Sequence, residues 1–86
     1  MIYDVIAIPN FKRELKKLSK KFPSLKADFA ELVENLQQDP LQGTVLGNKC
    51  YKIRMAIASK GKGKSGGSRV ITYIQVSQTI VYLLSI

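Results

Sequence analysis

Two hydrophobic rhythms run through the chain in succession. Residues 2–8 (IYDVIAI) are β-branched and apolar, and Pro9-Asn10 closes the run, which predicts a strand. From Phe11 to about Lys20 the apolar positions Phe11, Leu15 and Leu18 fall at i, i+4 and i+7, one helical stripe. Lys12, Arg13, Lys16, Lys17, Lys20 and Lys21 occupy the other faces. Asn10 stands where an N-cap belongs. Phe22-Pro23-Ser24 interrupts this helix, and Ser24 is a candidate cap for a second one. There Leu25, Phe29, Leu32, Val33 and Leu36 repeat with helical spacing until Asp39-Pro40 stops it. So short a break predicts an antiparallel helix hairpin.

Beyond residue 40 the rhythm changes to two. Residues 40–49 read as a loop containing Gly43 and Gly47. Residues 50–58 (CYKIRMAIA) then alternate, with Tyr51, Ile53, Met55 and Ile57 on one face and Lys52 and Arg54 on the other. Residues 59–68 (SKGKGKSGGS) form a glycine- and lysine-rich connection. Residues 69–76 (RVITYIQV) place Val70, Thr72, Ile74 and Val76 opposite Arg69, Ile71, Tyr73 and Gln75, and residues 79–86 (TIVYLLSI) form a last strand. The expectation is one α+β domain over residues 1–86, ordered β-α-α-β-β-β. An antiparallel sheet carries the helix hairpin on one face. Lys52, Arg54, Arg69, Tyr73 and Gln75 share the other.

Composition narrows the function classes. Eighty-six residues, 45% hydrophobic and 23% charged, make a small globular domain with a modest core. The single cysteine, Cys50, has no internal disulfide partner, which fits a reducing, cytoplasmic setting. No apolar run approaches the roughly 18 residues of a membrane helix. The N-terminal residues carry Asp4 and no basic cluster, unlike a signal peptide. With no histidine and one cysteine, a protein zinc site is not expected, histidine acid–base catalysis is excluded, and no cofactor is expected.

Charge is distributed unevenly. All six acids, Asp4, Glu14, Asp28, Glu31, Glu34 and Asp39, lie in the first 39 residues. From Pro40 onward the seven bases Lys49, Lys52, Arg54, Lys60, Lys62, Lys64 and Arg69 meet no carboxylate. Such a field attracts a polyanion. Without a basic amphipathic helix in this half, an anionic membrane is the poorer candidate. Residues 61–66 (GKGKSG) match a dinucleotide-binding glycine pattern, but a strand rather than a helix follows, so no helix N-terminus holds a pyrophosphate. The GKS triplet at 63–65 lacks the leading glycine of a phosphate loop, whose place is Ala58. Lys60, Lys62 and Lys64 read instead as a cationic arm for RNA phosphates. Lys52, Arg54 and Arg69, with Tyr73 as a stacking surface, form the patch that single-stranded RNA would require.

Residues 50–54 (CYKIR), 60–73 (KGKGKSGGSRVITY) and 81–86 (VYLLSI) resemble the RelE/ParE superfamily of bacterial toxins, and the glycine-lysine insert is most similar to the HigB-like branch. The order of elements resembles that family over essentially the whole chain. The resemblance implies a toxin of a type II toxin–antitoxin pair, a ribosome-dependent mRNA endonuclease that needs no metal and is neutralised by a cognate antitoxin. A homodimer or a toxin–antitoxin hetero-oligomer is the assembly it implies. By motif the cleft residues fall on Lys52, Arg54 and Arg69. With no histidine and no carboxylate expected nearby, Lys52 is the candidate base, while Arg54 and Arg69 hold the scissile phosphate. Family members usually continue past the Tyr-Leu-Leu-Ser-Ile strand, so a domain lacking the usual C-terminal tail is expected. The alternatives are a non-catalytic antitoxin-binding remnant and a ParE-like gyrase inhibitor.

Overall fold

A computed structural model describes residues 2–61, 63 and 66–86; Lys62 and Lys64 lie outside the described residues. The order is β1 (Asp4–Ala7), α1 (Pro9–Lys21), α2 (Leu25–Gln38), β2 (Thr44–Gly47), β3 (Cys50–Met55), β4 (Ser68–Gln75) and β5 (Ile80–Ser85). One five-stranded sheet runs β1-β5-β4-β3-β2. β2 through β5 pair antiparallel, while β1 joins β5 in parallel, so the sheet is mixed. Among the described residues no helix is long and apolar enough to cross a membrane.

The core lies between the helix pair and one face of the sheet. Phe11, Leu25, Leu32 and Leu36 from the helices meet Ile53, Met55, Ile57, Val70, Ile74, Val81 and Leu83. Each such side chain contributes about 1.5–3 kcal/mol when fully buried. The Phe11 and Phe29 rings sit 5.5 Å apart and tie α1 to α2. Thr72 is also fully buried, and among the described residues its Oγ1 has no hydrogen-bond partner.

Several local expectations are revised. α1 begins at Pro9, whose fixed φ suits a first helical turn, and Ile8 takes the cap position. Asn10 is therefore inside the helix, and its amide donates to the Leu84 carbonyl at 3.3 Å. Ser24 precedes α2 but makes no cap bond; its hydroxyl donates to Asp28 Oδ2 at 2.8 Å. The connection after Pro40 contains β2, joined to β3 by Asn48 and Lys49, both at positive φ. Two left-handed residues in a two-residue hairpin loop match the right-handed twist of the flanking strands. Val76 leaves the sheet for a short 3-10 turn and is exposed.

Candidate functional site

The site follows from strand alternation. Ile53 and Met55 point from β3 into the core, so Lys52 and Arg54 stand on the far face. On β4, Val70, Thr72 and Ile74 are buried, which places Arg69, Ile71, Tyr73 and Gln75 on that same far face. The register sets Lys52 opposite Ile71 and Arg54 directly opposite Arg69. Neither strand carries a carboxylate. The three cations expected to act together are therefore on one face, two of them as cross-strand neighbours.

Two glycines fix β3 from its flanks. Gly43, at φ +98°, lies so close that a Cβ there would collide with the Lys52 carbonyl oxygen. A Cβ on Gly67 would collide with the Met55 carbonyl.

Lys52 lines two depressions. The larger, about 600 Å³, runs between α2 and β3 and takes Asp28, Glu31 and Asn35 on one wall and Lys52 and Arg54 on the other. The smaller, about 480 Å³, brings Lys52 and Arg69 together with Ile71, Ser85 and Glu14. Glu14 here, and Asp28 and Glu31 in the larger depression, correct the expectation that no carboxylate lies near these cations. Glu14 Oε1 accepts from Asn10 Nδ2 at 3.2 Å and from the Ile86 N–H at 3.3 Å. Ser85 arrives through a register irregularity: Thr72 pairs with Leu83 but Ile71 pairs with Ser85, leaving Leu84 as an extra residue. Such a bulge re-aims the residue beyond it. The Asn10–Glu14 spacing of one helical turn was the available sequence signal for the carboxylate. Its meeting with β5 is a long-range event that spacing does not encode.

The aromatic part of the face is larger than anticipated. Tyr73 stands opposite Tyr82, with ring centroids 6.2 Å apart and planes tilted by 37°. The Tyr73 hydroxyl donates to Gln75 Oε1 at 3.3 Å. Tyr82 was hidden in an apolar run whose facing the sequence did not settle. Lys60, by contrast, is positioned at the helix junction, its ammonium 5.2 Å from the Phe22 ring centroid. The turn that carries it is anchored there as well: Ser59 N–H donates to Ser24 Oγ at 2.8 Å and Ala58 N–H to Asp28 Oδ2 at 3.1 Å. Among the described residues no three Cys, Asp or Glu side chains converge as a metal site requires.

No family model matches the sequence, and no curated protein matches it. Among solved structures, a mutant of the E. coli toxin RelE in the free state is similar, with a TM-score of 0.69 at 19% identity, covering 99% of this chain and 81% of that one. The likeness establishes a RelE-like α+β fold.

Proposed function

We propose that this chain is the toxin of a type II toxin–antitoxin pair, HigB-like in its glycine-lysine insert, and that it cleaves mRNA on the ribosome without a metal. The observation that carries this reading is the grouping of Lys52, Arg54 and Arg69 on one face of a RelE-like sheet. Arg54 and Arg69 neutralise the scissile phosphate and stabilise the charge that develops on it. Lys52 adds a third cation with an exchangeable proton. Tyr73 offers a base-stacking surface, and Lys60, Lys62 and Lys64 draw the RNA backbone. A site without a histidine or metal depends on the ribosome to hold the substrate in line. The partners are a cognate antitoxin, the ribosome and mRNA, and the setting is the cytoplasm.

Induced expression with an mRNA cleavage map tests this. The chain should arrest growth and cut mRNA, whereas Lys52→Ala and Arg69→Ala should do neither while still capturing the antitoxin. Removing one charge contact to a transition state commonly lowers the rate by about a hundredfold or more. Toxicity retained in both variants would move the target to gyrase. An inert parent chain that binds antitoxin would mark a non-catalytic remnant.

A further inference from the structure

We infer that Glu14, rather than Lys52, accepts the proton of the attacking 2′-hydroxyl, and that Lys52 delivers a proton to the leaving oxygen. The inference rests on the nuclease reading above and adds its acid–base pair. Lys52 is the candidate base only where no carboxylate is in reach; Asp28 and Glu31 share the larger depression with Lys52 and Arg54, and Glu14 lines the 480 Å³ depression that brings Lys52 together with Arg69.

The geometry of Glu14 suits this role. Among the described residues, both of its hydrogen bonds fall on Oε1, one from the Asn10 side chain and one from the Ile86 backbone. Those two donors come from α1 and from the residue after β5, so they hold the carboxylate from two sides. Among the described residues Oε2 has no hydrogen-bond partner, so it is the oxygen that can face a ligand. A carboxylate accepts but does not donate, so it does not compete for the phosphate that Lys52 and Arg69 attract. What RNA presents to an acceptor beside a bound phosphate is the ribose 2′-hydroxyl. The chain therefore sets an acceptor and two cations around one space, which is the arrangement an internal transesterification needs.

The step balances without a metal or redox partner. The 2′-hydroxyl proton passes to Glu14 Oε2 as the 2′-oxygen bonds to phosphorus. The bond from phosphorus to the 5′-oxygen breaks, and that oxygen takes a proton from the Lys52 ammonium. The products are a 2′,3′-cyclic phosphate and a 5′-hydroxyl. Glu14, now protonated, and Lys52, now neutral, return to their starting forms by exchanging a proton through water.

Single-turnover cleavage on mRNA-programmed ribosomes tests the assignment, using Glu14→Gln, Glu14→Asp and Lys52→Ala with two substrates. One substrate is ordinary mRNA; the other carries a bridging sulfur in place of the 5′-oxygen at the cleaved bond. Glutamine keeps an Oε1 acceptor for Asn10 and Ile86, so the melting temperature and ribosome affinity should hold while cleavage falls by about 10²–10⁴-fold. Aspartate should recover part of the rate. Sulfur leaves without protonation, so the thio substrate should restore Lys52→Ala but not Glu14→Gln. Normal cleavage by Glu14→Gln, or its rescue by sulfur, would overturn the assignment. A rate that falls only in step with a lowered melting temperature would make Glu14 a strap for β5 and overturn it too. Absence of cleavage by the unaltered chain would instead bring down the nuclease reading itself.

Discussion

Arg54 stands directly opposite Arg69 across the β3–β4 ladder. Like charges in that relationship oppose folding, on the scale of about 0.2–1 kcal/mol per pair. A sheet selected for stability alone would place an acid at one of the two positions. Arg54→Gln should therefore raise stability by about 0.5 kcal/mol, or roughly 2–4 °C in Tm for a domain of this size. The gain should shrink in high salt, where the repulsion is already screened. RNA affinity should fall in the same variant. Thermal melts at two salt concentrations, paired with RNA titrations, check both; a lower Tm would show that the pair stabilises the sheet.

RNA binding should weaken steeply with salt. If four to six cations engage phosphates, log K should fall against log salt with a slope of roughly −3 to −4 for a single strand. Replacing Lys62 and Lys64 with serine should make that slope shallower by about 1.4 if both contact phosphate. Filter binding across a salt series measures it, and an unchanged slope would remove the lysine arm from the interface.

Tyr82 should contribute to that binding although it carries no charge. It faces Tyr73 on the same side of the sheet as Arg69, which is four residues, or about 13 Å, from Tyr73 along β4. A base stacked on the pair would add about 1–3 kcal/mol. Tyr82→Ala should lose that amount at constant salt slope. Loss of slope with loss of affinity would point to a displaced strand instead.

Thr72→Val should stabilise the fold. The Thr72 hydroxyl is fully buried with no partner among the described residues, so its desolvation is uncompensated. Valine has nearly the same shape, and removing the unsatisfied group should gain about 1–3 kcal/mol. Chemical denaturation gives the sign directly.

Gly43→Ala should destabilise by about 1–3 kcal/mol through its left-handed backbone, with more from the collision at the Lys52 carbonyl. Gly61→Ala is the control: its φ is +69°, but a Cβ there meets open space. The difference between their urea midpoints isolates the collision. Only the Gly43 variant should also shift Lys52 and reduce RNA cleavage.

The fold was legible wherever periodicity was long. The stripe of Phe11, Leu15 and Leu18 and the alternation of Lys52 and Arg54 with Ile53 and Met55 each fixed an element and its buried face. β2 was not legible, because its four residues are all exposed and Asn48-Lys49 lacks the glycine that usually marks such a hairpin. The parallel docking of β1 on β5 was also out of reach, since nothing local in residues 4–7 specifies a partner at residues 80–83. In the site, the cations were readable because strand alternation alone aligns them. Glu14, Ser85 and Tyr82 were not, because a helix, a bulge and a distant strand together decide where they fall.

During synthesis β1 is made first but has no partner until β5 appears, since Asp4 pairs with Ile80 and Ala7 with Leu83. The β3–β4 hairpin faces no such delay and can align Lys52, Arg54 and Arg69 as soon as it has emerged. Pairings this distant in sequence form late and slowly. The Ile86 N–H that holds Glu14 and the bulge that aims Ser85 belong to the same late event. A folding chain thus forms the cationic hairpin before the carboxylate is set beside it. On the nuclease reading, the site is complete only once β5 has docked.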